Sequence, residues 1–435
     1  MFISLVLLGY LTIIIFMALL MSKKLSAFVA LILVPAVMAL LGGMGGQLGT
    51  YALKGLKGVA TTGSLMIFAV MYFCIMIAAG MFDPLVDKTV RFIKGDPVKL
   101  LVGTAVLALS VSLDGDSVTT YIIVCSALVP IYNKMGINTL NLACITLMAN
   151  SIPNILPWGG PTARLLAALK LDAGEVMAPF YPALVVGAVY VIIVAYIIGR
   201  QEQKRIGPIH MNEDEINALI KDATSRNEGY KRPKTMLFNW AMTIFVIASL
   251  VMDIYPPAVM FALATAVALA VNYSIKEQRT LIEDISSDVL PVVGLVFAAG
   301  VFMGILSESK MASAIANHLI SLIPPEMGSH FAFIVSILSV PLLFISSNDA
   351  FYFGIVPVFA ETGANYGFTT LQIGLASLCG QAFRLLSPTV ASIYVLLQMT
   401  GVNMVEWQVK TAKWAIGLFV IYVGMLYFVL GVIPF

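Results

Sequence analysis

Five ionisable side chains lie within apolar stretches of this sequence, beside residues that interrupt helices. Asp114, Asp116 and Asp349 are the acids, and Arg164 and Arg384 are the bases. If these stretches cross a bilayer, the charges are expensive to bury, and they suggest a substrate path, an ion site or a proton relay. A carboxylate can accept a proton or bind a hard cation. The planar guanidinium group of Arg can donate two parallel hydrogen bonds to a carboxylate ligand.

Structural explanations stay open for these residues. One Asp–Arg pair could simply lock two segments together, but a single pair accounts for only two of the five charges. Two arginines at comparable interruptions indicate an anionic ligand with more than one carboxylate. Nearby neutral groups could bind the same ligand or cap their own helices, and adjacent glycines could admit a ligand or only punctuate the chain. These groups are Asn154, Gly159, Gly160, Thr162, Ser387 and Thr389.

The composition indicates an all-α protein that crosses a membrane many times. The chain is 60% hydrophobic and only 11% charged, and its mean hydropathy is +0.96. Apolar runs of about 20 residues recur along it, as membrane-spanning helices require. The net charge of +2 says little about partners, and we expect no nucleic-acid partner. We read the four cysteines, which lie in apolar runs without metal-site spacing, as small buried hydrophobes; they are Cys74, Cys125, Cys144 and Cys379.

No motif for an enzyme or an ATP-driven pump occurs. The sequence has no P-loop, nucleophile elbow or HExxH motif. We expect no permanently bound cofactor, and we expect an ion gradient to supply the energy for any transport.

The chain divides into two halves, each with a short hairpin and a broken helix. Residues 1–199 form the first predicted half, 200–236 a connecting loop and 237–435 the second half. Each hairpin consists of two apolar stretches, too short for comfortable spans, around a polar tip, which suits a re-entrant hairpin. The hairpins are predicted at 98–132 and 331–360, and the broken helices at 139–172 and 370–400.

The two halves repeat. Pro130 and Pro357 lie 227 positions apart, and so do the pairs Pro161-Thr162 and Pro388-Thr389. A duplication of this period in a membrane chain is typical of the internal symmetry of transporters. We count five membrane crossings and one re-entrant hairpin per half. Because five is odd, the second half is predicted to be inverted relative to the first.

Basic residues predict the orientation in the membrane. If the N-terminus is outside, nineteen of the 25 Lys and Arg residues lie in cytoplasmic segments. This asymmetry follows the positive-inside rule. It places both termini outside and the loop 200–236 in the cytoplasm. The opposite side then holds only Lys54, Lys57, Lys170 and Lys310.

The broken-helix and hairpin motifs resemble a known family. The segments 113–121, 154–164 (NILPWGGPTAR) and 346–349 (SSND) are similar to the citrate–metal–proton symporters (CitMHS) of the ion transporter superfamily, and the similarity spans nearly the whole chain. The resemblance implies an elevator-type fold of inverted repeats with unwound helices at the substrate site, usually as a homodimer. It also implies uptake of citrate with a divalent cation and protons across the plasma membrane of a prokaryote.

The hairpin tips depart from the pattern of related sodium-coupled dicarboxylate transporters, which carry Ser-Asn-Thr there. The first tip here reads Gly115-Asp116-Ser117 and the second Ser347-Asn348-Asp349. Each tip gains an acid, which favours proton or divalent-ion chemistry over sodium coupling. We assign proton coupling or metal binding to Asp114, Asp116 and Asp349. The predicted substrate-binding residues are Asp116, Ser117, Asn154, Gly159, Gly160, Pro161, Thr162, Arg164, Ser347, Asn348, Arg384, Ser387, Pro388 and Thr389.

The leading hypothesis is a symporter that imports citrate complexed with a divalent metal, of the Mg²⁺ or Ca²⁺ class, together with protons. A divalent ion offsets two charges of the tricarboxylate and prefers oxygen ligands. One alternative is a proton- or sodium-coupled carrier of free di- or tricarboxylates, or of a sugar acid, on the same fold. A second is a cation/proton antiporter that uses the three Asp residues, although it leaves both arginines unexplained.

Overall fold

The structure is a computed structural model, and it describes residues 4–22, 24–207, 229–252, 254–320, 328–388 and 390–435. These residues form helices joined by short connections. The first half contains α1 (Leu5–Met21), α2 (Ala27–Leu41), α3 (Leu48–Gly58), α4 (Ala60–Ala78), α5 (Asp83–Ile93), α6 (Pro97–Val111), α7 (Ser117–Lys134), α8 (Thr139–Ser151), α9 (Gly160–Leu169) and α10 (Ala173–Ile206).

The second half has helices in a similar order. It contains α11 (Met236–Val251), α12 (Pro257–Asn272), α13 (Ile275–Glu308), α14 (Met311–Ile320), α15 (Phe331–Ile345), a π-helical turn (Ala350–Ile355), α16 (Val356–Asn365), α17 (Thr370–Leu378), α18 (Gln381–Arg384), α19 (Ala391–Thr400), α20 (Met404–Val423) and a terminal π-helical turn (Gly424–Val429).

Local sequence explains where many of these helices begin. The side chain of Asn138 accepts a hydrogen bond from the backbone of α8, and Asp172 and Asn403 do the same for α10 and α20. These residues occupy the N-cap position, where a side-chain oxygen satisfies backbone N–H groups that lack helical partners. Ser274 and Thr369 form capping boxes at the starts of α13 and α17.

Several helices are long and apolar enough to cross a bilayer. Within the described residues there are seven such segments, judged by length and composition alone. Shorter apolar helices accompany them, including α1, α2, α12 and α15. The expectation of an all-helical, multi-pass membrane protein is therefore confirmed at this level. The seven segments are Ala60–Ala78, Pro97–Asp114, Thr139–Leu169, Ala173–Ile206, Pro233–Leu250, Ile275–Glu308 and Met404–Val429.

Short turns interrupt the helices within the segments for which hairpins and broken helices are predicted. The helices α6 and α7 meet at a tip formed by the 3-10 turn Ser112–Asp114, and α15 meets the π-helical turn at Ser346–Asp349. A second 3-10 turn, Pro153–Ile155, separates α8 from α9. One boundary differs from the prediction, because α10 continues to Ile206, into the predicted loop 200–236.

A close crossing of α3 and α13 holds one wall of the molecule together. A Cβ atom added to Gly55 would lie 1.9 Å from the carbonyl oxygen of Gly300, and one added to Gly304 would lie 2.3 Å from that of Tyr51. Small residues let two helix backbones approach this closely where apolar burial supplies little drive for association. Lys54 and Glu308 form an ion pair of 2.7 Å beside the crossing. The helix α13 also packs against α2, α4 and α9.

Candidate functional site

A cavity of about 530 Å³ lies between the first hairpin tip, the broken helix and two long helices. One side is formed by α4 and α13, and the other by the α6–α7 tip and the start of α9. Cavities of 300–1,000 Å³ are typical of small-molecule sites. Its polar lining consists of Asp114, Asp116, Thr119, Arg164, Ser287 and Asp288, and Cys74, Phe73, Trp158 and Phe353 are among its other lining residues.

The first hairpin tip presents two acids to this cavity. Gly115 adopts a left-handed φ of 78° between them, a conformation that glycine accepts without steric cost. Asp116 caps α7, because its Oδ2 accepts a hydrogen bond of 2.6 Å from the backbone N–H of Thr119. Asp114 is only 8% exposed. Its Oδ1 accepts from the backbone N–H of Asp116, and its Oδ2 is buried without a hydrogen-bond partner among the described residues.

Side chains from the broken helix hold the tip in place. Asn150 accepts a hydrogen bond of 2.8 Å from Ser117 and donates one of 3.1 Å to Ser112. The indole N–H of Trp158 donates to the carbonyl oxygen of Leu113, at 2.8 Å. The ring of Trp158 packs edge-on against Phe261, with centroids 4.8 Å apart. Trp158 therefore both lines the cavity and fixes the hairpin.

The break between α8 and α9 depends on a glycine. A Cβ atom on Gly159 would lie 2.0 Å from the carbonyl oxygen of Asn154, so no larger residue fits without a backbone shift. Thr162 is fully buried, and its hydroxyl donates to the carbonyl oxygen of Ile155 across the break, at 2.5 Å. Gly160 begins α9 and lines the cavity. The N-terminal end of α9 therefore lies at the cavity, an end that favours anionic groups.

Arg164 connects the broken helix of the first half with the hairpin of the second. Its Nε donates to Asp349 Oδ1 at 2.5 Å, and its Nη1 donates to the carbonyl oxygen of Gly160 at 2.8 Å. The two side chains are 22% and 16% exposed. Asp349 thus neutralises most of the charge that Arg164 brings to the cavity, and the pair links two residues that lie 185 positions apart.

The second hairpin tip is fastened by Arg384. This side chain is 4% exposed; its Nε donates to Asn348 Oδ1 at 3.1 Å and its Nη1 to the carbonyl oxygen of Leu343 at 3.1 Å. Ser387 is fully buried and donates to the carbonyl oxygen of Phe344. Ser347 accepts a hydrogen bond from the backbone N–H of Ala350. Arg384 is not among the described residues that line the cavity.

Equivalent contacts hold both hairpins. In the first half Tyr121 donates to Asn150 at 3.3 Å, and in the second half Gln381 donates to Tyr352 at 2.8 Å. Gln381 also contacts Asn348 at 3.3 Å, as Asn150 contacts Ser117. Each of these pairs of positions is 231 residues apart. This offset is four residues longer than the 227 that separates the matched prolines, and in each half an amide side chain contacts a tyrosine and a residue of the tip.

The predicted site residues therefore fall into two groups. Asp114, Asp116, Gly160 and Arg164 line the cavity, and Asp349 reaches it through its pair with Arg164. The others lie at the hairpin tips and helix breaks, except Thr389, which is outside the described residues. The hydrogen-bonding groups of Ser117, Thr162, Ser347, Asn348, Arg384 and Ser387 contact neighbouring backbone or side chains; Asn154 is 9% exposed, Gly159 and Pro161 are buried and Pro388 is exposed.

Asp288 is a cavity residue that the motifs do not reveal. It belongs to α13 and lines the cavity with Ser287, opposite the acids of the first tip. Asn150 and Gln381, which hold the tips, also lie outside the motifs. Their signal is a buried amide in an apolar helix, which needs partners within the protein. Asp288 has no such signal, because Glu283 and Asp284 precede it on the same solvated stretch of helix.

Comparisons with known proteins agree with this architecture. The chain matches the citrate transporter family CitMHS over residues 16–380. It is 48% identical over 414 residues to a citrate transporter of Bacillus subtilis (strain 168), covering 95% of this chain and 96% of the relative. It is 41% identical, with 95% of both chains covered, to the Mg(2+)/citrate complex secondary transporter of the same organism.

Two solved transporters share the fold at low sequence identity. The YdaH transporter of Alcanivorax borkumensis superposes with a TM-score of 0.62 at 14% identity, covering 89% of this chain and 90% of YdaH. MtrF of Neisseria gonorrhoeae superposes with a TM-score of 0.61 at 14% identity, covering 89% of this chain and 84% of MtrF. The resemblance noted in the sequence is confirmed by the family match and the close relatives. The chain belongs to the CitMHS family of citrate transporters, and it is a multi-pass membrane transporter and not an enzyme.

Proposed function

We propose that this protein imports citrate as its complex with a divalent metal ion, in symport with protons. The observation that carries the proposal is the charge arrangement of the cavity. Among the described residues, three carboxylates, Asp114, Asp116 and Asp288, and one arginine, Arg164, line this space, and Asp349 pairs with that arginine. A free tricarboxylate would meet a predominantly negative wall. A metal complex can instead turn its cation toward the acids and its carboxylates toward Arg164 and the start of α9.

The metal is cargo in this proposal, not a resident cofactor. Mg²⁺ and Ca²⁺ both bind carboxylate oxygens, and Mg²⁺ usually keeps several of its waters. A relative that is 41% identical is named a Mg(2+)/citrate complex secondary transporter, which supports Mg²⁺ as the first metal to test. In the complex, citrate carboxylates coordinate the cation. The acids of the cavity attract this cation electrostatically and do not have to replace citrate as its ligands.

Asp114 is the proposed proton carrier. An ionised carboxylate buried without a partner is costly, and Asp114 Oδ2 has none among the described residues. Proton binding to Asp114 neutralises the carboxylate and removes that cost. The cation of a bound complex offsets the same negative charge without protonation. Proton entry and metal–citrate binding therefore act on the same group. Asp116 and Asp349 remain the other proposed coupling residues.

The remaining predictions of the sequence are part of the same proposal. We place both termini outside and the loop 200–236 in the cytoplasm of a prokaryotic cell, and we relate the halves as inverted repeats of five crossings each. Elevator-type movement and a homodimer follow from the family resemblance alone. Arg384 and the neutral groups of the second tip contact substrate when the hairpins rearrange.

Reconstituted transport tests the function. Purified protein in liposomes should accumulate labelled citrate only when a divalent cation is present outside, and an inward proton gradient should increase accumulation. EDTA should abolish uptake, and excess Mg²⁺ should restore it. Uptake that is insensitive to EDTA would instead support a carrier of free di- or tricarboxylates. Cation flux without citrate would support a cation/proton antiporter.

A further inference from the structure

The helix α13 contributes an oxygen-rich patch to the cavity that the family motifs do not contain. Asp288 lines the cavity there, and it has no hydrogen bond or ion pair among the described residues. Pro291 lies inside α13 three positions later. Proline has no N–H, so the carbonyl oxygen of Ser287 lacks its usual helical donor. This wall therefore carries the Asp288 carboxylate and, next to it in sequence, a carbonyl oxygen without its i+4 helical donor.

The opposite wall carries a buried acceptor that also lacks a partner. Asp114 is 8% exposed and lines the cavity, and its Oδ2 has no hydrogen-bond donor in the described part of the chain. Asp116 lies beside it on the same tip. Cys74 of α4 lines the same cavity as all three carboxylates. Asp288 and the two tip acids therefore face a common region.

These oxygens suit a hydrated cation better than a bare one. The described residues contain no cluster of three or more His, Cys, Asp or Glu side chains close enough to hold a metal ion directly. A divalent cation that keeps its water shell needs only charge and water-mediated hydrogen bonds from the protein. Mg²⁺ gives up its waters reluctantly, and the cavity of about 530 Å³ leaves room for them.

We propose that Asp288 and the Ser287 carbonyl form one side of a site for a hydrated divalent cation, with Asp114 and Asp116 on the other side. This inference rests on the proposed metal–citrate transport and assigns the metal requirement to a residue of α13. Because α13 packs against α2 and α3 while the tip belongs to the hairpin, the cation bridges two parts of the molecule. Asp288 thereby determines how strongly the cavity prefers a complexed citrate over free citrate.

Metal binding in the absence of citrate tests the site directly. We would measure binding of Mn²⁺ to the purified full-length protein by electron paramagnetic resonance, with Mg²⁺ as a competitor. Asp288→Asn should raise the Kd for Mn²⁺ about 10-fold or more, because it removes one unit charge near a divalent ion in a partly solvated cavity. Asp288→Glu should restore most of the affinity. Asp284→Asn is the matched control, since Asp284 lies one turn earlier and accepts a hydrogen bond from Tyr230 at 2.6 Å.

Transport by the same variants separates the two proposals. Asp288→Asn should raise the Mg²⁺ concentration needed for half-maximal citrate uptake by a similar factor, whereas Asp284→Asn should not. If Asp288→Asn binds Mn²⁺ like the parent while parental citrate uptake still requires Mg²⁺, the Asp288 site is refuted and metal–citrate transport stands. If parental citrate uptake ignores EDTA, the proposed function fails, whatever the result for Mn²⁺ binding.

Discussion

Replacing Arg164 by lysine should weaken citrate binding strongly without unfolding the protein. The guanidinium makes two hydrogen bonds, to Asp349 Oδ1 at 2.5 Å and to the Gly160 carbonyl oxygen at 2.8 Å. Lysine keeps the positive charge but lacks the planar guanidinium, whose several N–H groups could bind a citrate carboxylate while they contact Asp349 and Gly160. The side chain is 22% exposed, so the site is neither at the surface nor fully dry.

The expected loss of citrate affinity follows from the hydrogen bond that lysine could no longer donate to a citrate carboxylate. A hydrogen bond to a charged group contributes about 1.5–3 kcal/mol, which corresponds to roughly a 10- to 150-fold loss of affinity. We expect the apparent Kd for citrate with Mg²⁺ to rise within this range for Arg164→Lys. The measurement is isothermal titration calorimetry on purified protein, accompanied by the initial rate of uptake in liposomes.

Two further variants make this prediction sharp. Arg91→Lys is the control, because Arg91 forms a surface pair with Asp87 in which the side chains are 50% and 37% exposed, and such pairs contribute little. In a double-mutant cycle, Asp349→Asn should have a much smaller effect in the Arg164→Lys background than in the parent, with a coupling of about 0.5–3 kcal/mol. Parental citrate affinity in Arg164→Lys, or strict additivity with Asp349→Asn, would refute the assignment.

Three further predictions concern coupling, the helix break and topology. Asp116→Asn keeps the cap of α7, since Asn is also a good N-cap. At saturating Mg²⁺, citrate exchange should therefore persist while uptake driven by a pH gradient falls; unchanged pH-driven accumulation would exclude Asp116 from coupling. Gly159→Ala forces a Cβ against the Asn154 carbonyl oxygen and should cost about 1–3 kcal/mol of stability, seen as a lower midpoint of thermal unfolding in detergent, whereas an unchanged midpoint would contradict the crowded break. The topology is tested with single cysteines at the exposed positions Gln201 and Ala364 in a Cys74→Ala background. They should react with an impermeant thiol reagent from opposite sides of the membrane, and reaction from the same side would refute the inverted repeat.

Interruptions of the helices could be anticipated from the sequence because their signals are local. Gly and Pro beside polar residues in an apolar run interrupt its helix, and in a bilayer the freed backbone groups must then find partners within the protein or a cavity. The hairpin predicted at 98–132 corresponds to α6, the tip and α7, and the break predicted within 139–172 lies between Ser151 and Gly160. A duplication was also predicted, because Pro and Thr residues matched at one fixed offset are seldom a coincidence.

The partners of the charged residues were decided only by the tertiary structure. Sequence could nominate Arg164 and Arg384 alike, but folding puts Arg164 beside the cavity with Asp349 and buries Arg384 against Asn348 and Leu343. These contacts join segments far apart in the chain. No local sequence pattern therefore encodes which of the two arginines faces the cavity.

Asp288 is a cavity residue that the sequence did not single out. In sequence it is one of several acids on the polar first part of α13, indistinguishable from Glu283 and Asp284. Only the packing of α13 beside α4 and α9 turns it toward the cavity and the buried oxygen of Asp114. Sequence therefore determined the membrane class, the family and the broken elements, because hydropathy and helix-breaking residues act locally. Tertiary packing decided which charges share one cavity, because that depends on how distant helices pack together.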